Sequence, residues 1–120
     1  MKVKFISINA PDVLPSIKEI PAYFGMSVLA HFTEKNNIGI KDLGNIESKL
    51  NLTSCANLIL EGVKEGYRKT KTKPSFELDK ELIFDIMDDD KYFMQNAMSV
   101  FAQMISGPKE DVDTVDSEGK

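Results

Sequence analysis

Residues 53–70 read TSCANLILEGVKEGYRKT, and this run decides the fold. Ala56, Ile59, Leu60, Val63 and Tyr67 recur at intervals of three and four, which places them on one stripe of an α-helix. Thr53 is the natural N-cap ahead of Ser54, Cys55 and Ala56. Gly62 and Gly66 lie off that stripe, and each costs up to roughly 1 kcal/mol of helix propensity against alanine. Two such costs in one helix point to close approach by another chain segment, or at Gly66 to a weakened helix end. Arg68, Lys69, Lys71 and Lys73 then put positive charge where the helix dipole favours it. The same cations have a second reading, as a basic patch for an acidic partner.

The pattern continues on both sides. Pro74 closes the basic loop, and SFELDKELIFDIMDDD over 75–90 predicts a further helix capped by Ser75 or Asp79. Leu78, Leu82, Ile83, Ile86 and Met87 are its apolar side. A last helix is capped by Asp89 or Asp90 and stopped by Gly107-Pro108. Phe93, Ala97, Val100, Phe101 and Met104 form its main face, and Tyr92, Met94, Met98 and Ile105 carry apolar character round the sides. A helix so broadly apolar is buried on more than one side or meets a partner. Upstream, Phe24, Val28 and Phe32, with Leu29 beside them, predict a helix over 25–35 ended by Asn36-Asn37. Ile40, Leu43, Ile46 and Leu50 predict a short helix loosened at Gly44.

The first 21 residues behave differently. KVKFISI alternates, with Val3, Phe5 and Ser7 on one side and Lys2, Lys4 and Ile6 on the other, a weak strand signal. Pro11, Pro15 and Pro21 interrupt any longer element. The expected architecture is therefore mainly α: a compact bundle of four or five helices over 22–107. An irregular, proline-containing arm with room for one short strand covers 1–21. The end of the chain, 108–120, reads as an acidic, disordered tail.

Composition agrees with a soluble globular domain. The chain has 120 residues, 42% of them apolar and 28% charged, enough for one core without staples. Its formal charge is −4, and residues 109–120 alone hold five acids against two lysines. An acidic balance argues against nucleic acid as a partner, which would need Lys69, Lys71 and Lys73 joined in space by Lys2, Lys4 or Lys18. No apolar run is long enough to span a membrane. Cys55 is the single cysteine, which fits a reducing compartment.

Chemistry is thinly represented. His31 is the one histidine, and a lone His with a lone Cys does not make a zinc site. It reads as a packed or surface helix residue, and Cys55 as a small side chain in a first helical turn. A Cys–His pair in space stays open at this stage. Asp88-Asp89-Asp90 lacks the glycine and glutamate of a calcium loop and reads as a helix end followed by a cap. Gly25, Gly39 and Gly44 form no phosphate loop. No catalytic residue, metal or cofactor is expected, and the chain is not expected to be an enzyme. The remaining signal is apolar side chains in surplus. Met87, Met94, Met98 and Met104 fall in the last two helices, and methionine adapts to irregular partners.

Three stretches carry a resemblance: FGMSVLAHFTEKNNIGIKDLGNI from Phe24, NLILEGVKEGYRKTKTKPSFELDKELIFDIMDDD from Asn57, and MSVFAQMISGP from Met98. In them Phe24, Gly25, Met26, Leu29 and Phe32, then Gly62, Gly66 and Tyr67, then Pro74, Phe76 and 83–87 are similar to the tail assembly chaperones of long-tailed, siphovirus-like bacteriophages and prophages. The likeness runs from Tyr23 to Gly107 and leaves out the proline-rich arm. It implies a non-enzymatic chaperone in the cytoplasm of the bacterial host, absent from the mature virion. Such a protein binds the tape measure protein, a long helical chain, and recruits tail tube subunits around it. The contact residues expected on that reading are Gly62, Gly66, Tyr67, Phe93, Met94, Met98 and Phe101, with the arm able to favour a homo-oligomer. The alternative is a small helical adaptor or regulator unrelated to phage tails.

Overall fold

The computed structural model describes residues 2–38 and 50–106. The elements run β1 (Lys4–Ser7), β2 (Glu19–Ala22), α1 (Met26–Lys35), α2 (Leu52–Thr70), α3 (Lys80–Asp89) and α4 (Phe93–Ser106). The described residues thus form a mainly α bundle of four helices with an N-terminal β-hairpin. The short helix expected around 40–50 falls mostly on 39–49, and the acidic stretch on 108–120; both lie outside the described residues.

Helix α2 is the axis of the bundle. Its 19 residues make it about 28 Å long at the rise of an α-helix. The expected stripe is buried through Ala56, Ile59, Leu60 and Val63, and Leu58, Gly62 and Gly66 are buried as well. The helix therefore packs on more than one side. Its cap is Asn51 rather than Thr53: the Asn51 side chain accepts the Ser54 N–H at 2.8 Å. Both residue types cap well, and the earlier start puts Ser54 at the third helical position, within reach of that side chain. From there the Ser54 hydroxyl donates to Asn36 Oδ1 at 3.1 Å, joining the start of α2 to the end of α1.

The N-terminal segment forms two strands. Lys4 pairs with Ala22, Phe5 with Pro21, Ile6 with Ile20 and Ser7 with Glu19, antiparallel. Pro21 is tolerated because both strands of a two-stranded sheet are edges. The face turned inward is the one carrying Ile6 and Ile8, with Phe5 left 49% exposed. The sequence pattern had placed the apolar side on Val3 and Phe5. Register corrects it, since pairing Ile6 with Ile20 buries two β-branched side chains on one face. Strand β1 packs against α4 and β2 against α2. Ile6, Ile8, Ala10, Leu14 and Ile20 enter the same core as the helices.

The rest follows the periodicity. On α1, Val28, Leu29 and Phe32 are buried, and Phe24 joins them from just before the helix. Asp79 caps α3, accepting the Leu82 N–H at 2.8 Å. On α4, Phe93, Ala97, Val100, Phe101 and Met104 are all buried. Phe24 meets Phe101 edge to face with centroids 5.2 Å apart, and its N–H points to Met104 Sδ at 3.1 Å.

Candidate functional site: a methionine-lined groove

Helix α4 turns its two faces to different tasks. Phe93, Ala97 and Phe101 point into the core, which leaves Met94, Gln95, Met98, Ser99 and Ala102 on the opposite side. Together with Leu50, just before α2, and Cys55 in its first turn, they line a groove of about 430 Å³. None of the seven is charged. Met94 and Met98 are half-buried and one turn apart, so two flexible thioethers sit side by side on one wall. The groove can take an apolar side chain or a helix face, and it supplies no ionisable group other than the Cys55 thiol.

A second hollow, about 440 Å³, lies between α1 and α2 and is lined by His31, Phe32, Glu34, Lys35, Asn57 and Glu61. His31 is exposed there. His31 and Cys55 line different hollows, so the structure does not assemble a Cys–His pair. Among the described residues, no group of three His, Cys, Asp or Glu side chains could hold a metal ion. No helix among them is long and apolar enough to cross a membrane.

The seven residues expected at a contact surface are dispersed. Met94 and Met98 share the groove. Phe93 and Phe101 are fully buried in the core. Gly62 and Gly66 are covered by the chain's own N-terminal segment. A Cβ on Gly62 would overlap the Phe24 ring, and one on Gly66 would lie 2.5 Å from the Pro21 carbonyl carbon. The Tyr23 N–H donates to the Gly62 carbonyl at 2.9 Å. The close approach inferred from these glycines is therefore made by β2 and its exit. Tyr67 stands apart, half-buried, with its ring edge-on to Phe76 at 6.4 Å. Burial raises its hydroxyl above the ordinary tyrosine range, so it stays neutral at neutral pH.

Gln95, Ser99 and Ala102 were not singled out in the sequence, although they follow Met94 and Met98 round the same face at helical spacing. Leu50 and Cys55 come from a different part of the chain, and only tertiary packing brings them to α4. The Asp88–Asp90 run also does more than close a helix. Asp90, 6% exposed, accepts the Asn9 N–H at 2.8 Å and the Tyr92 N–H at 3.0 Å through its two oxygens. Asp89 accepts the Asp12 N–H at 2.8 Å. The two carboxylates tie the hairpin loop to the α3–α4 corner.

No protein-family model, curated protein or solved structure matches the chain.

Proposed function

We propose that this chain is a non-enzymatic assembly chaperone of the phage-tail kind. It holds a helical segment of the tape measure protein in the cytoplasm of an infected bacterium and recruits tail tube subunits to it. The observation that carries the reading is the uncharged groove walled by Met94 and Met98. An amphipathic helix binds such a groove through apolar anchors at i, i+3, i+4 and i+7, and methionine lets one surface fit many successive anchors along a long partner. The resemblance carried by Phe24, Gly25, Met26, Leu29 and Phe32, by Gly62, Gly66 and Tyr67, and by Pro74, Phe76 and 83–87 supports this choice of partner, and an apolar groove suits a helical one.

The test is co-expression with the proteins encoded beside it, followed by pull-down and mass spectrometry. The expected result is co-purification of a long helical protein together with a tube subunit. A Met94→Glu/Met98→Glu chain should keep its helical circular dichroism and lose roughly tenfold or more of the capture. Recovery of neither protein, with both present and soluble, overturns the reading and leaves a general adaptor.

A further inference from the structure

We propose that the C-terminal end of α2 is a second docking surface, for an acidic peptide segment of a partner protein. It lies at the opposite end of α2 from Cys55 and the methionine groove, so the two surfaces stand or fall separately. Residues 64–73 hold Lys64, Arg68, Lys69, Lys71 and Lys73, all exposed, against the single acid Glu65. The chain as a whole carries −4, which makes this concentration of positive charge a local feature.

The helix dipole does not account for it. A helix C-terminus presents about half a negative charge, which one cation offsets. Neither α3 nor α4 has a basic residue in its last turn. Helix α1 ends on a single basic residue, Lys35, so elsewhere among the described helices a last turn holds at most one cation, whereas α2 carries more than its dipole requires. Among the described residues, the one ion pair within the stretch is Arg68 with Glu65.

The cations also stand on an ordered platform. Lys71 occupies the left-handed region (φ 59°), and its N–H donates to the Arg68 carbonyl at 3.2 Å. The Thr72 N–H reaches the Tyr67 carbonyl at 3.2 Å, and the Thr70 and Thr72 hydroxyls are 2.7 Å apart. On the other side, Lys69 Nζ lies 4.8 Å above the Tyr23 ring. A backbone fixed in this way loses less entropy on binding than a frayed end.

The partner's chemistry follows from what the surface lacks. Single-stranded nucleic acid wants free aromatic faces between its cations. Here Tyr23 is covered by Lys69, and Tyr67 is engaged with Phe76. A long polyanion would also meet the net negative charge of the rest of the chain. A short segment with spaced carboxylates meets neither obstacle, and lysine ammoniums recognise it as separate point charges.

The experiment is fluorescence anisotropy on the full chain with a labelled Asp/Glu-rich dodecapeptide, at low and high salt. A thymidine dodecanucleotide is run in parallel. The chain should bind the peptide, more weakly as salt rises. Lys69→Glu/Lys71→Glu/Lys73→Glu should weaken binding by roughly tenfold or more. The charge-matched Lys18→Glu/Lys80→Glu/Lys91→Glu chain should bind nearly as the parent does. Equal loss in both variants, no binding at low salt, or tighter binding of the oligonucleotide would overturn the proposal. So would binding that appears only after Glu110, Asp111, Asp113, Asp116 and Glu118 are neutralised. That last result would assign the surface to the chain's own acidic stretch.

Discussion

Gly66 is the residue on which the junction between hairpin and bundle turns. Alanine there would gain roughly 1 kcal/mol of helix propensity. Its methyl group would also press into the Pro21–Ala22 backbone, which cannot move without shifting β2 off α2. Overpacking of this kind costs about 1–3 kcal/mol, so Gly66→Ala is expected to be net destabilising in urea melts, contrary to its helix propensity. Glu65 offers a contrast. Its hydrogen bond from Arg68 holds its carboxyl below the ordinary glutamate range. The stabilisation is present at neutral pH and is lost as pH falls through that lowered value. Glu65→Gln should cost less than about 1 kcal/mol at neutral pH, as befits a surface pair, and nothing once both states are protonated. Thermal melts of the two proteins across acid pH read the difference directly.

At the scale of elements, the corner between α3 and α4 governs how the hairpin is held. Asp90 is the buried charged residue among those described, and its carboxylate satisfies two backbone N–H groups, one of them eighty-one positions away. Removing the buried charged acceptor of two part-buried hydrogen bonds costs about 1–3 kcal/mol. Asp90→Ala should therefore destabilise by that amount and should raise the exchange rate of the Asn9 amide before that of the α2 amides. Uniform acceleration across the protein would instead mean that the hairpin and the helices open together. The acidic run was legible as a helix end and cap. Its hold on Asn9 and Asp12 was not, because nothing in local sequence shows which distant N–H group a carboxylate will meet.

For the whole molecule, the division of α4 into an inner and an outer face separates stability from binding. Phe101 is fully buried against Phe24, and Phe101→Ala should cost about 3–5 kcal/mol. Met98 is half-buried at the groove, and Met98→Ala should cost clearly less, with its main effect on partner capture. Chemical denaturation of the two variants beside the pull-down tests this. A Met98 variant that unfolds as readily as the Phe101 variant would place the groove wall in the core.

The sequence by itself determined the four described helices, a cap for α3 at Ser75 or Asp79, and the buried faces of α1 and α4. These follow from the 3.6-residue period and from side chains that satisfy N–H groups within a few positions. It also signalled that something lies close to Gly62 and Gly66. Only the tertiary structure decided that this is Pro21, Ala22 and Phe24, that Ile6 rather than Phe5 faces inward, and that Asn51 caps α2. It alone decided that Met94 and Met98 line a groove with Cys55. The Asn51 cap is a local choice between two good capping residues; for the others the reason is common. Periodicity reports that a face is apolar, whereas its burial depends on which distant segment the folded chain lays against it.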